Sequence, residues 1–240
     1  MASRLRKRLD FNSSRYRLYE EVSAFALSIP KGAYLLDAGS GNQPYRELVQ
    51  HTNYESADFE ELDKSYAKTR YICDLRAIPV EDERYDYIFF NQVMEHLPEP
   101  KAVLQELYRV LKPRGKIFYS GPLFYEEHQV PFDYFRYTQF GLKVLFNNAG
   151  LVTERLEWLE GYFGTIAYQF HSMAKYLPTQ PKEIGLGAKA YLVSPFLFML
   201  KKLALLLSIF FHRLEKHTKY TDRGYPKNYL GIFVKSQPKL

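Results

Sequence analysis

Residues 4–27 read as helical, with Leu5, Leu9, Leu18, Val22 and Phe25 as apolar anchors. This predicts a helical opening segment, residues 1–29, which Pro30-Lys31-Gly32 closes. The pattern then changes to short apolar runs that stop at a polar residue or a turn. Segments 34–38, 54–58, 70–75, 85–91 and 116–120 predict five strands, and the short apolar run that opens the first suits a strand buried on both faces. Pro44 predicts the first turn of a helix after the first strand. Residues 101–111 read as an amphipathic helix, with Ala102, Val103, Leu107, Val110 and Leu111 apolar and Lys112-Pro113-Arg114-Gly115 as its stop. Thr138 reads as the cap of a helix over 139–149, followed by a sixth strand from Leu151 towards Trp158 and a seventh over 229–235.

Residues 160–228 separate the last two strands, far more chain than a hairpin needs. This stretch reads as a helical insertion within a domain of residues 1–240. Ser194-Pro195 predicts a helix start, Ser as N-cap and Pro at the first position. From Pro195 to Phe211 only Lys201, Lys202 and Ser208 interrupt the apolar run. Such a helix is about 25 Å long at about 1.5 Å per residue, short for a bilayer. Two central lysines would each cost about 2.5–3.5 kcal/mol at the membrane midplane, which argues against a span. Ser194, Lys201, Ser208 and His212 share a narrow stripe, and the wide remaining face is apolar. That face fits a membrane interface, the body of the protein, or a second subunit as a homodimer contact.

Composition sharpens the picture in three places. Apolar residues make up 46% of the 240, enough for a sizeable core. Aromatics reach 17%, with 21 Tyr and 18 Phe, which suggests an aromatic-lined site or an interfacial surface. The net charge of +6 favours anionic partners. The single Cys73 rules out an internal disulfide and a cysteine-based zinc site, and suits a reducing compartment. Arg4, Arg6, Lys7 and Arg8 have no apolar run behind them, so no signal peptide is expected. The expected location is cytoplasmic, with peripheral membrane contact through the insertion, and no metal site is expected.

Candidate chemistry begins at Asp37-Ala38-Gly39-Ser40-Gly41, where the first strand ends in an acid and a Gly-x-Gly turn. A pyrophosphate fingerprint would need glycine at 44, which is Pro44, and no Gly-Lys-Ser/Thr follows. The acid before the glycines repels a pyrophosphate and suits a ligand carrying a cation and hydroxyls. Asp58 ends the second strand 21 residues after Asp37, the spacing at which an acid holds a ribose diol. Asp74 ends the third.

With Glu95-His96-Leu97 after the fourth strand and Leu111-Lys112-Pro113-Arg114-Gly115-Lys116 before the fifth, the chain resembles the class I S-adenosylmethionine-dependent methyltransferases, more narrowly the methyltransferase type 11 branch. The resemblance covers residues 30–160 and a final strand at 229–235. It implies an α/β, Rossmann-like, doubly wound seven-stranded sheet whose last strand is antiparallel. It implies S-adenosyl-L-methionine as cofactor, held by Asp37, Gly39, Ser40, Gly41, Asp58, Phe59, Asp74, Leu75, Asn91 and Gln92. A glycine often found at position 43 is Gln43 here, which is expected to narrow the turn.

For catalysis the residues offer Glu95, His96 and His128 as bases, with His96 and His128 as the named candidates. The segment 128–138 combines His128, Asp133, Arg136 and four aromatics in a Pro-containing loop. His128, Asp133, Tyr134 and Arg136 are expected to bind the acceptor, with an Asp133–Arg136 pair within a packed loop as the structural alternative. Similar loops in relatives point to a small or glycan-like hydroxylated acceptor and O-methylation. A lipid or quinone acceptor at a membrane surface, and a non-catalytic S-adenosylmethionine-binding protein, are the alternatives. Nucleic acid is not an expected partner, since no Asn-Pro-Pro-Tyr-type motif follows the fourth strand.

Overall fold

The computed structural model describes residues 13–60 and 66–236. Two compact units emerge, one of residues 18–159 and 228–236, the other of residues 13–17 and 160–227.

The first unit is built on a seven-stranded sheet of order β3-β2-β1-β4-β5-β7-β6. Its strands are β1 (Tyr34–Ala38), β2 (Asn53–Asp58), β3 (Tyr71–Ile72), β4 (Tyr85–Asn91), β5 (Leu111–Pro122), β6 (Leu151–Trp158) and β7 (Asn228–Lys235). Strands β3 to β5 run parallel, and β7 lies antiparallel between β5 and β6. Successive side chains alternate between faces. Leu35, Phe89 and Phe118 pack with Leu18, Val22 and Phe25 of α1 (Ser13–Ser28). Leu36, Ile88, Phe90 and Tyr119 meet Leu104 and Leu107 of α2 (Pro100–Val110) and Phe146 of α3 (Gln139–Asn148). Coverage of both faces is why the strands read as unbroken apolar runs rather than alternating ones. Phe146 stacks on Phe233 with ring centroids 3.6 Å apart, and burying each such ring contributes about 3 kcal/mol.

The chain order strand, turn, strand returns to the sheet quickly after β1, and this corrects one expectation. Instead of an α-helix after Gly41 there is a single 3₁₀ turn, Arg46–Val49, because Thr52 already bonds back to Val49 on entering β2. The third strand is also shorter than residues 70–75 suggest. It is an edge, paired only to β2, and β2 stops at Asp58, so Cys73, Asp74 and Leu75 leave the ladder. Thr138 caps α3 as expected, its hydroxyl accepting from the Gly141 amide at 3.2 Å. Leu5 and Leu9 lie outside the described residues.

The second unit consists of α4 (Tyr162–Tyr176), the single turn α5 (Pro181–Ile184) and the long α6 (Ala190–His217). Helix α6 starts before Ser194-Pro195, so Pro195 lies inside it rather than at its first position. Ser194 does not cap α6; its hydroxyl donates to the Thr179 carbonyl. Helices α4 and α6 are joined by polar bonds. Ser208 Oγ donates to the Ala167 carbonyl at 2.9 Å. The buried Glu215 carboxylate accepts from the Gly161 and Gly164 amides at 2.8 and 3.0 Å. It thereby caps the positive end of α4. Burial raises the Glu215 carboxyl, and these amides and Arg17, 3.6 Å away, oppose that shift.

Candidate active site

The site is organised by the carboxyl ends of β1, β2 and β4, where the strand order reverses. Gly39 has φ +76°, and a Cβ there would stand 2.4 Å from Val93 Cγ2. Position 39 therefore needs glycine on both conformational and packing grounds. Gln43 also occupies the left-handed region, φ 52°. Its side chain does not narrow the turn. It is buried away from the cavity, donating to Ser56 Oγ at 3.2 Å and the Lys68 carbonyl at 2.9 Å.

A cavity of about 540 Å³ opens beside this turn. Of the expected cofactor residues, Gly39, Asp58, Phe59, Asp74, Leu75 and Gln92 line it. Asp37, Ser40, Gly41 and Asn91 do not. Asp37 is buried, and its carboxylate accepts from Tyr54 Oη at 2.7 Å. Burial lifts the Asp37 carboxyl to about 6, against the pull of Tyr54 and with the push of Asp58. Asp58 accepts from the Gly41 amide at 2.8 Å, which ties the glycine turn to the end of β2. Asp74 is clasped by Arg76 through Nη2 at 2.7 Å and Nε at 3.0 Å, and this holds its carboxyl below the ordinary value. Asn91 accepts from Ser120 Oγ at 3.0 Å, and Gln92 donates to the same hydroxyl at 3.3 Å. Cys73, read from sequence only for its disulfide potential, also lines the cavity, its thiol pushed up to about 11 by burial.

On the other side His96, Gln129, Phe132 and Tyr134 line the same cavity. The His96 Nδ1 faces the Phe132 carbonyl, which can only accept. Nδ1 therefore carries the proton, and in the neutral ring Nε2 holds the lone pair. The Gln129 amide lies 3.3 Å from that Nε2. His128 is not in the cavity wall. It stacks edge-on against His96, with ring centroids 4.7 Å apart, and lies 3.3 Å from Asp133. Nor do Asp133 and Arg136 reach the wall. They form a two-pronged pair at 2.6 and 2.8 Å, and Asp133 also accepts from the His128 amide at 2.9 Å. Arg136 further bonds the Phe135 and Glu126 carbonyls. The charges of the loop are spent on the loop.

Glu95 differs from the base expected of it. Only 1% of it is exposed, and neither carboxylate oxygen has a hydrogen-bond partner. Burial pushes its carboxyl up to about 8, so it is chiefly neutral near pH 7. Its backbone carbonyl instead accepts the Tyr134 amide at 2.8 Å and anchors the loop.

Residues 36–119 match the family model described as a methyltransferase domain. A ubiquinone biosynthesis O-methyltransferase of Pseudomonas savastanoi pv. phaseolicola is 36% identical over 124 residues, 46% of this chain and 51% of that protein. A tRNA (carboxymethyluridine(34)-5-O)-methyltransferase of Arabidopsis thaliana is 30% identical over 112 residues, 44% of this chain and 28% of that protein. The chain thus spans about half or less of the length of these curated relatives. A solved phosphoethanolamine N-methyltransferase 2 of Haemonchus contortus, in complex with S-adenosyl-L-methionine, superposes with a TM-score of 0.52 at 16% identity, covering 90% of this chain and 52% of that one. Residues 36–119 hold a methyltransferase domain, on the fold of the class I S-adenosylmethionine-dependent methyltransferases.

The cavity of this methyltransferase domain fits the cofactor. Its charged lining comprises Asp58, Asp74 and Glu99 against Arg76 alone, an acidic balance that favours a sulfonium cation. Asp58 sits where a carboxylate with two acceptor oxygens can take a diol. Gly39 gives the cavity a wall of bare backbone, which a ligand can approach closely.

Proposed function

We propose that this methyltransferase domain transfers a methyl group to an oxygen of a small or glycan-like hydroxylated acceptor. The observation that carries the reading is His96, with Nδ1 fixed on the Phe132 carbonyl and the ring in the cavity wall. Bound S-adenosylmethionine supplies an electrophilic methyl group. The chain's own part is to hold the acceptor and remove its proton. A neutral His96, held through Nδ1, takes the hydroxyl proton on Nε2 as the oxygen becomes a nucleophile, the acceptor hydroxyl replacing the Gln129 amide against that lone pair. Phe132 and Tyr134 offer apolar faces to the acceptor's carbon skeleton. Both curated relatives named above are O-methyltransferases, which supports oxygen as the acceptor atom.

The first test is calorimetric titration with S-adenosylmethionine and S-adenosylhomocysteine. Micromolar binding is expected, weakened about a hundredfold in Asp58→Ala by loss of two charge-assisted hydrogen bonds. Absence of binding in folded wild type would count against the whole reading. Given an acceptor found by screening hydroxylated compounds, His96→Gln should lower kcat at least tenfold while cofactor affinity holds. An unchanged kcat across neutral pH would remove His96 as the base.

One observation favours a second reading, an acceptor of lipid or quinone type. Helix α6 exposes a long apolar face, and one relative is named for ubiquinone biosynthesis.

A further inference from the structure

Helix α6 runs 28 residues, about 42 Å, yet its most apolar side chains face outward. Leu192, Phe196, Met199, Leu203, Leu206 and Phe210 are between 49% and 83% exposed. With Tyr191, Phe198 and Leu205, also exposed, they cover about half of the helix circumference. That arc is wider than the a/d seam of a coiled coil. Lys201, Ser208, His212 and Glu215 lie on the opposite side, while Lys202 and Arg213 stand exposed within the apolar arc. Ser208, His212 and Glu215 are buried, and Lys201 Nζ donates to the Lys175 and Leu177 carbonyls at 3.3 and 3.1 Å, closing the end of α4. Gly187–His217 is long and apolar enough to cross a membrane, which corrects the shorter helix expected from sequence, but a polar stripe bonded to its neighbour and an opposite half that is bare suit a helix lying along a surface.

The charge pattern says which surface. No acidic residue occurs in 184–214 or in α4, whereas Lys175, Lys189, Lys201, Lys202 and Arg213 do. A second cavity, about 270 Å³, lies where α4 meets α6. Its wall combines His171, Lys175, Thr179, Lys201 and Lys202 with Phe198 and Leu205, and no carboxylate lines it. Lys202 is folded over the Phe198 ring at 5.3 Å, so its ammonium stays next to the apolar face. A basic pocket bordering an apolar half-cylinder matches an anionic phospholipid, headgroup in the pocket and acyl chains against the helix.

We propose that α4 and α6 dock this protein on an anionic membrane surface, with Lys175, Lys201 and Lys202 binding the phosphate of a lipid headgroup. The proposal stands whichever acceptor the methyltransferase site takes.

Vesicle flotation of the full chain tests it. The protein should float with mixed phosphatidylcholine–phosphatidylglycerol vesicles and at least tenfold less with phosphatidylcholine alone. Leu203→Ser with Leu206→Ser should abolish flotation on both, while circular dichroism and S-adenosylmethionine binding stay as in wild type. Lys175→Glu with Lys202→Glu should remove only the preference for phosphatidylglycerol. Excess inorganic phosphate should not displace the protein from vesicles. Absence of flotation overturns the proposal, as does a stable dimer that Leu203→Ser with Leu206→Ser converts to monomer with no lipid dependence. Vesicle binding that resists alkaline carbonate would overturn the interfacial placement in favour of a span. Cofactor binding without flotation, or flotation without cofactor binding, separates this proposal from the methyltransferase reading.

Discussion

Glu95→Gln probes the least ordinary group in the domain. The Glu95 carboxyl has no hydrogen-bond partner and titrates near 8 instead of 4.5 because burial penalises its charged form. Between those two pH values the folded protein keeps a proton that the unfolded chain has released. The native state therefore binds more protons there, and stability must fall as pH rises through the window. At about 1.4 kcal/mol per pH unit, the full loss amounts to about 5 kcal/mol. Below pH 4.5 the group costs nothing. A glutamine copies the shape of the protonated acid but cannot ionise, so the variant should lack this slope. At pH 5 it should be less stable by about 1–3 kcal/mol, because the amide adds buried donors without partners. Near pH 9 it should be the more stable protein by a few kcal/mol. His96, with Nε2 3.8 Å from the carboxylate, and Arg136, Asp133, Tyr119 and Tyr137 surround the site in both proteins, so their own titrations largely cancel in the difference. Urea unfolding followed by fluorescence of the sole tryptophan, Trp158 on β6, reports on the sheet-containing unit alone. Stability curves that run parallel from pH 5 to 9 would refute the argument, for they would show that Glu95 ionises in place at no cost.

Gly39→Ala should weaken S-adenosylmethionine binding at least tenfold in calorimetry, since its Cβ collides with Val93 at a positive φ; adding Val93→Ala should recover part of the loss, the remainder being backbone strain. Stability should fall as pH rises from about 4 to about 6, because the buried Asp37 keeps its proton in the fold after the unfolded chain has released it, and Tyr54→Phe should extend that fall to higher pH by deleting the hydrogen bond that favours the carboxylate, as urea unfolding across this range would show. Arg136→Ala should destabilise the protein by about 3–5 kcal/mol in urea unfolding, because it strands the nearly buried Asp133. In wild type Arg136 holds the Asp133 carboxyl below its ordinary 3.8, so the pair stabilises above that pH and its contribution fades as pH falls below it; the variant should lose this acid-side dependence.

The central strands were legible because a sheet covered on both faces favours consecutive apolar residues, and 34–36, 87–90 and 117–119 supply them. The acids at their ends, Asp37, Asp58 and Asp74, were legible as chemistry because nothing in strand packing calls for them. Edges and connections were less so. Residues 70–75 look like a full strand, but an edge can pair only as far as its one neighbour extends. Pro44 has the chemistry of a helix start, yet the chain after it turns straight back into β2. Ser194-Pro195 carries the same signal and sits inside α6. Proline near a helix start forfeits only one backbone hydrogen bond, and the turn before it is held by Ser194 on the Thr179 carbonyl.

The acceptor loop shows why side-chain roles resist sequence reading. His128, Asp133 and Arg136 are the polar residues one would assign to a ligand, and Asp133 with Arg136 could bond hydroxyls or phosphate. Folded, they satisfy each other and the carbonyls around them. That choice has an energetic logic. A charged pair left open to a cavity must be desolvated anew by each ligand, whereas a pair closed on its own loop meets that cost once, during folding. The loop is then rigid before any acceptor arrives, pinned further by the Tyr134 amide on the Glu95 carbonyl. What it presents to the cavity is Gln129, Phe132 and Tyr134, with His96 oriented through the Phe132 backbone. An acceptor held by aromatic faces and one imidazole is selected by shape and by a removable proton rather than by charge. Hydroxylated acceptors with an apolar or sugar-like face should therefore outcompete phosphorylated ones of the same size in turnover, and the reverse order would show that Arg136 opens to the ligand after all.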